Sequence, residues 1–310
     1  MRVVVTGGAG FIGANLCAAL ARDGIDEVIA LDDLSTGSID NLAGSGAKLV
    51  EGSILDTDLL GDVLDGADAV VHLAARPSVP RSIDDPVAAH TVNATGTLLV
   101  LEAARAAGGP QVIVASSSSV YGANPTLPKS IDLRTQPLSP YAVSKLATEA
   151  YALSHAHCFD LPVLAFRFFN VFGPLQPAGH AYAAVIPSFV DAALAGRAIP
   201  IHGDGGQTRD FTYVGSLTRV ICDAVARRVT SPDPVNLAFG SRLGLLEVVT
   251  MIEEVLGRPL ERRHGPARAG DVRHSQADRT ELLALFPDVE PTSFEEGLRA
   301  TIDWFVAEQG

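Results

Sequence analysis

Cysteine is scarce: Cys17, Cys158 and Cys222 are three in 310 residues, far apart, with no CxxC pair and no Cys/His cluster. That spacing disfavours a disulfide framework and a structural zinc site, so no metal is expected and a reducing cytoplasm is the simplest setting. Positive charge is also short, with 23 Lys and Arg against 36 Asp and Glu and a net charge of −13. Nothing resembles a basic patch for nucleic acid, and the acidic balance mainly serves solubility. No apolar run reaches a membrane span. Met1 runs directly into a strand pattern, without the basic region and long apolar stretch of a secretory leader. Internal repeats, low-complexity tracts and long linkers are missing as well. What is present is a globular composition, 47% hydrophobic with 29 glycines, long enough for one large domain or two moderate ones.

The first elements read clearly. Arg2-Val3-Val4-Val5 is a short β-branched run, the pattern of a buried parallel strand. Thr6-Gly7-Gly8-Ala9-Gly10-Phe11-Ile12-Gly13 follows, after which Ile12, Leu16, Ala19 and Leu20 recur at helical spacing up to Gly24. Glu27–Asp33 is a second strand ending in carboxylates. Glycines at 7, 10 and 13 let a pyrophosphate approach the backbone, where the start of a helix offers free N–H groups. Asp32 at the strand end suits both ribose hydroxyls of an adenosine and repels a 2′-phosphate; Asp33 beside it strengthens the repulsion. Strand, glycines, helix, strand and terminal Asp in this order point to dinucleotide binding, with NAD favoured over NADP.

The alternation continues with strands at Lys48–Glu51, Ala69–Leu73, Gln111–Ala115 and Pro162–Phe168. Helices are predicted at Leu55–Leu64, Pro86–Ala107 and from Tyr141 to about His157. This is the pattern of an α/β fold, a Rossmann-type doubly wound parallel sheet. Ligands in such sheets bind beyond the carboxyl ends of the strands. One rim would then hold the glycine loop, Asp32, Ala74-Ala75, the serines at 116–119 and Asn170. After about residue 172, Pro and Gly break the chain often, and helices are predicted at Val185–Ala195, Ser216–Arg227, Leu245–Leu256 and Thr292–Glu308. The expected division is a dinucleotide-binding domain over 1–172, to which later segments return, and a smaller mixed α/β substrate lobe over 173–310.

Ser139-Pro140-Tyr141-Ala142-Val143-Ser144-Lys145 puts a phenol and an ammonium on one face of a helix start. A nearby ammonium favours the phenolate. Alone the pair fits an ordinary helix start equally well; together with Ser117 and the N-terminal glycines it carries a resemblance. The chain resembles the extended short-chain dehydrogenase/reductases, and among them the NAD-dependent nucleotide-sugar epimerases and dehydratases of the UDP-hexose 4-epimerase type. The motifs are Thr6–Gly13, His72–Ala75, Ser116–Gly122, Tyr141–Lys145, Arg167–Gly173, Arg209-Asp210-Phe211 and Arg268-Ala269-Gly270-Asp271, spread over nearly the whole chain.

The resemblance implies a catalytic set of Ser117, Tyr141 and Lys145. Tyr141 as phenolate would accept the proton of a sugar 4-hydroxyl, Lys145 would depress the phenol pKa and hold the nicotinamide ribose, and Ser117 would relay or steady the proton. The offset from Tyr121 selects Ser117, although Ser118 is adjacent and could contact the sugar. Tightly bound NAD is implied at Gly7, Gly10, Phe11, Ile12, Asp32, Asp33, Ser35, Thr36, Gly37, Ser53, Ile54, Leu73, Ala74, Ala75, Arg76, Asn93, Ser116, Phe168 and Val171, besides Tyr141 and Lys145. Ser53 departs from the family, which usually has Asp near the adenine there. Asn170 matches a diphosphate contact, Arg209 and Arg268 match two phosphate-binding arginines, and Asp271 matches a carboxylate on the uridine ribose. Ala184, Val185, Ile201 and His202 would line the nucleotide pocket.

The same resemblance bears on the reaction. The 4,6-dehydratases carry Asp-Glu after the catalytic Thr; here Ser118 and Ser119 stand there and cannot act as an acid/base pair at neutral pH. Ser275 is small where hexose-restricted 4-epimerases carry Tyr, and Ser78 and Val79 lie in a stretch like that of the N-acetylhexosamine 4-epimerases. The expected substrate is UDP-N-acetylglucosamine/UDP-N-acetylgalactosamine, with UDP-glucose/UDP-galactose and UDP-glucuronate as alternatives. A dehydratase, a dehydrogenase releasing its nicotinamide and a non-enzymatic NAD sensor are the rival readings. A homodimer through a four-helix bundle, from Pro86–Ala107 and Tyr141–His157 of each copy, is also implied.

Overall fold

The computed structural model describes residues 1–178, 183–266 and 272–309. The chain opens with β1 (Arg2–Thr6), α1 (Phe11–Arg22), β2 (Glu27–Asp32), β3 (Lys48–Glu51), α2 (Thr57–Leu64) and β4 (Ala69–His72). Then come α3 (Val79–Asp84), α4 (Pro86–His90), α5 (Gly96–Ala106), β5 (Gln111–Ser117), α6 (Pro140–Phe159), β6 (Val163–Phe168) and β7 (Asn170–Phe172). The rest holds α7 (Val185–Leu194), β8 (Ile199–His202), β9 (Thr208–Arg209), β10 (Phe211–Tyr213), α8 (Val214–Arg227), β11 (Val235–Leu237), β12 (Leu243–Gly244), α9 (Leu245–Leu256), β13 (Arg262–Gly265), α10 (Thr280–Leu285) and α11 (Phe294–Gln309).

Among the described residues, seven strands form one sheet in the order β11-β6-β5-β4-β1-β2-β3, with every pair parallel. This is the doubly wound sheet the alternation predicts. Strand order reverses between β1 and β4, which opens a crevice at the carboxyl ends there. Val3, Val4 and Val5 are each 0% exposed because both faces of β1 are covered. Val3 and Val5 pack with Leu16, Leu20, Leu217 and Ile221, drawn from α1 and α8. Val4 packs with Leu60, Leu64 and Leu101, from α2 and α5. A third core joins Phe172, Phe189, Ile199, Val248, Ile252, Leu298 and Ile302, mainly from the second half of the chain. None of the described helices is long and apolar enough to cross a membrane.

Three local features differ from the sequence reading. The stretch 86–107 is not one uniform helix: α4 and α5 are joined by a wider π turn over Thr91–Thr95. The Asn93 carbonyl there accepts from the Thr97 hydroxyl at 2.5 Å and the Thr148 hydroxyl at 2.9 Å, so side chains occupy a backbone acceptor of that turn. β5 extends through Ser116 and Ser117. The short α3 is an unforeseen element, started by Ser78 as cap with Pro80 in its first turn.

Candidate active site

The glycine loop is built by close approach. Gly7 has φ +69° and donates its N–H to the Leu31 carbonyl at 2.8 Å, tying the loop to β2. A Cβ at Gly13 would lie 2.1 Å from the Gly7 carbonyl oxygen, so only glycine lets α1 start against the loop. Asp32 is 8% exposed and accepts the Ala9 N–H on one oxygen and the Leu34 N–H on the other, both at 2.9 Å. Burial pushes its carboxyl above the usual range, and those N–H groups hold it back. The carboxylate thus fixes the loop and keeps lone pairs for further donors.

Beside it lies a cavity of about 510 Å³ lined by Gly7, Asp32, Asp33, Ser35, Thr36, Ser53, Ile54, Ala74, Ala75 and Arg76, all predicted for the cofactor. Arg81, Asp84 and Asp85 also line it. They come from α3 and the residue after it, and the only sequence signal for them was the cap at Ser78. A backbone cradle that any Cβ would fill, an acid at the far end and a cavity of this size fit the adenosine and pyrophosphate of NAD. Gly10 caps α1, Phe11 and Ile12 begin it half-buried, and Gly37 packs against Ala9. Leu73 and Val171 are half-buried against the main core, and Phe168 is 8% exposed at the end of β6.

Two residues expected at the cofactor also make side-chain bonds within the protein. Asn93 is 1% exposed: its Oδ1 accepts the Arg76 N–H at 2.6 Å, and its Nδ2 donates to the Arg76 carbonyl at 3.2 Å and to Ser144 Oγ at 2.9 Å. Its side chain thus ties the Arg76 loop to α6. Ser116 is 2% exposed and donates to Glu149 Oε2 at 2.9 Å, since alternation along β5 turns it away from Ser117.

α6 begins as its sequence predicts. Ser139 Oγ accepts the Ala142 N–H at 3.2 Å and Pro140 occupies the first turn. Tyr141 is half-buried at the start of α6, with the Ser117 hydroxyl at the end of β5 acting on its phenol. Ser117 Oγ also accepts the Ser119 N–H at 3.1 Å, and Ser118 lies in the following turn. Burial pushes the phenol above its ordinary pKa, and Ser117 counters this. Lys145, 5% exposed and pushed down to about 8 by burial, donates to the Ala115 carbonyl at 2.8 Å.

Behind Lys145, His72 is 2% exposed between Thr6 Oγ1 at 2.7 Å and Thr97 Oγ1 at 3.0 Å. Burial, reinforced by the Lys145 charge, pushes it down to about 3. The folded protein keeps this imidazole neutral while the unfolded chain protonates below about 6.5. Its stabilisation is therefore complete above pH 6.5 and lost as pH falls toward 3, by about 2 kcal/mol between about pH 7 and pH 5. Thermal unfolding across that range checks this: His72→Gln should flatten the decline, and equal slopes would refute the assignment.

The substrate-side residues gather around Asp210. It is 0% exposed, accepts from Ser241 Oγ at 3.0 Å and from the Ala277 N–H at 2.9 Å, and is pushed up to about 6 by burial. Asn170 donates its N–H and its Nδ2 to the Asp210 carbonyl, at 3.1 and 3.3 Å. Arg209 is 7% exposed, with Nη1 donated to the carbonyls of Thr208 and Arg273 at 2.9 and 3.1 Å. The half-buried Ser275 donates its N–H to the Thr208 carbonyl at 3.1 Å, which brings it next to Arg209. Ala184 caps α7 and is exposed; Val185 begins that helix, and Ser78 and Val79 begin α3, all three half-buried. His202 is half-buried, whereas Ile201 is 1% exposed in the third core. The Ile201 side chain packs in that core because period-two alternation in β8 turns it inward, while His202 beside it faces the other way. Arg268 and Asp271 lie outside the described residues.

A parallel sheet with a glycine cradle, an acid closing β2 and a Tyr-x-x-x-Lys helix facing a strand-end serine defines the extended short-chain dehydrogenase/reductase class. The pattern of the NAD dependent epimerase/dehydratase family matches residues 3–238, and the chain belongs to that family. It is 39% identical to a UDP-glucose 4-epimerase of Mycolicibacterium smegmatis over 98% of each chain. Among solved structures it is similar to a UDP-N-acetylglucosamine 4-epimerase from Methanobrevibacter ruminantium in complex with UDP-N-acetylmuramic acid. That match has a TM-score of 0.93 and 36% identity, covering 99% of this chain and 98% of that one. It is also similar to a UDP-glucuronic acid 4-epimerase from Bacillus cereus in complex with UDP-glucuronic acid and NAD. Here the TM-score is 0.89 and the identity 31%, over 99% of this chain and 100% of that one.

Proposed function

We propose that this protein, an NAD-dependent UDP-sugar 4-epimerase, interconverts UDP-N-acetylglucosamine and UDP-N-acetylgalactosamine. The observation that carries the reaction is Tyr141 in the first turn of α6 with Ser117 at the carboxyl end of β5 acting on its phenol, in the sheet whose first strand leads into the glycine cradle. The small Ser275, tied to Thr208 beside Arg209, supports the choice of sugar, because it leaves room for a 2-acetamido group.

The glycine loop and Asp32 would hold the adenosine end of NAD, and Lys145 the nicotinamide ribose. Bound NAD supplies a hydride acceptor and donor for C4, so the sugar passes through a 4-ketone with no net redox change. Tyr141 takes the C4 hydroxyl proton and later returns it. Ser117 donates a hydrogen bond to the phenolate and steadies the sugar oxygen. Asn170, Arg209 and Arg268 would hold the diphosphate and Asp271 the uridine ribose, so residues 173–310 mainly form the nucleotide-sugar lobe. Ser118 and Ser119 offer no carboxyl group to expel water, which supports epimerisation over dehydration. Val87 on α4 and Val143, Tyr151 and Phe159 on α6 are exposed apolar side chains, at 74%, 52%, 40% and 50%. They support a homodimer through paired helices.

The decisive experiment offers a panel of UDP-sugars to the purified protein without added NAD. Interconversion of the two N-acetylhexosamines, faster than that of UDP-glucose or UDP-glucuronate, is expected. Preference for another sugar refutes the substrate, and loss of water or stoichiometric NADH formation refutes the reaction.

A further inference from the structure

Ser82 belongs to α3, the helix that the sequence reading did not foresee, and is 1% exposed. Its hydroxyl accepts the Tyr141 N–H at 3.0 Å and donates to the Val79 carbonyl at 2.7 Å. Tyr141 is the second residue of α6, so its N–H has no partner within its own helix. Pro140 before it has no N–H, and the next donor, Ala142, is taken by the Ser139 cap. The first free donor of α6, on the residue that bears the phenol, is therefore held by a different element.

That element begins under strain. Ser78 has φ +94° and ψ 121°, unusual for a side-chain-bearing residue, and its Oγ accepts the Arg81 N–H at 3.4 Å. Ser78 and Val79 are the stretch proposed to meet the sugar. One hydroxyl thus spans the interval between that stretch and the backbone of the base.

We infer that Ser82 is a positioning residue that sets Tyr141 against Ser117 in register with the Ser78–Val79 stretch, an inference that rests on the epimerase reading for what the stretch contacts. Removing the hydroxyl leaves a buried N–H unpaired and frees the first turn of α6 from α3. The phenol then loses its fixed placement relative to Ser117 at the end of β5 and to Lys145 one turn further along α6. A neighbouring hydroxyl and a neighbouring ammonium both favour the phenolate, so a looser placement makes it form at higher pH. The Ala115 carbonyl holds Lys145 in place, and the buried His72 stays neutral.

The test uses the holoenzyme. Ser82→Ala should lower kcat by about tenfold or more, with KM within about threefold and bound NAD unchanged. The rise of its kcat with pH should move to higher pH. Ser82→Thr, which keeps the hydroxyl, should recover most of the loss. Ser82→Cys, similar in size but a weak acceptor, serves in place of alanine if that variant does not fold. Wild-type kcat in Ser82→Ala overturns the inference. So does a lowered kcat with an unmoved pH profile, or a threonine variant no better than alanine, since either marks a packing role. Titration of phenolate absorbance, with Tyr141→Phe as the blank, reads the same shift without substrate. If wild type converts no UDP-sugar, the epimerase reading fails, while an unshifted Tyr141 titration in Ser82→Ala still refutes the positioning role.

Discussion

Replacing Tyr141 with Phe is expected to lower kcat by on the order of 10³-fold while bound NAD and folding are retained. The ring stays and the packing with it; what goes is the one oxygen, whose ionisation Ser117 eases. The cofactor cavity is lined by the end of β2, the loops that follow β1, β2, β3 and β4, and α3, none of which changes. Lys145 keeps its bond to the Ala115 carbonyl. The loss should fall on kcat and kcat/KM alike, the signature of an interaction made in the transition state. Steady-state kinetics and the ratio of NAD to protein measure both halves. Activity within about tenfold of wild type would remove Tyr141 from the role of base.

The largest stability effect is expected at Arg167. Its guanidinium grips Glu149 bidentately, at 2.6 and 2.8 Å, with both side chains 5% exposed. Nη1 also donates to the Tyr121 hydroxyl at 2.9 Å, which donates in turn to Asn236 Oδ1 at 2.6 Å. Glu149 accepts from Ser116 as well. Arg167→Met strands a buried carboxylate and should destabilise the protein by about 3–5 kcal/mol. A buried ion pair is weak evidence for stability as such, because hydrophobic replacement of both partners is often nearly neutral. Glu149→Leu combined with Arg167→Met should therefore recover most of the loss. Denaturant unfolding of the two singles and the double gives the answer. A double variant as unstable as the sum of the singles would show no coupling between the two groups and refute the stranded-charge account.

How far these features are legible in the sequence depends on the range of the interaction. The strand–glycine–helix unit, Asp32 and the start of α6 rest on local spacing, and they form where the spacing puts them. The inward orientation of the Ile201 and Ser116 side chains is also a local signal, since alternation along a strand turns each of them. Asn93 lay beyond local reading, because its partners Arg76 and Ser144 come from other elements. The same holds for Arg167, Tyr121 and Asn236, which meet only when β6, the turn after β5 and β11 come together. The glycines of the loop reveal their purpose only in part, since the 2.1 Å approach at Gly13 follows from the packing of α1. Lys145 shows what spacing leaves out: its ammonium is held by the Ala115 carbonyl of a strand, a partner that helical periodicity does not announce.

The pairing of β11 with β6 has a consequence for biosynthesis. Val235, Asn236 and Leu237 lie beside Phe166, Arg167 and Phe168, so the last strand of the sheet leaves the ribosome long after its neighbour. Until then β6 offers an open edge of unpaired N–H and carbonyl groups, and the Tyr121 hydroxyl lacks its Asn236 acceptor. A nascent chain stopped near residue 172 would carry the whole glycine cradle and the Tyr141 helix, yet could not close its own sheet. A gene fragment ending near residue 172 would therefore leave a product with an unpaired, sticky edge at β6.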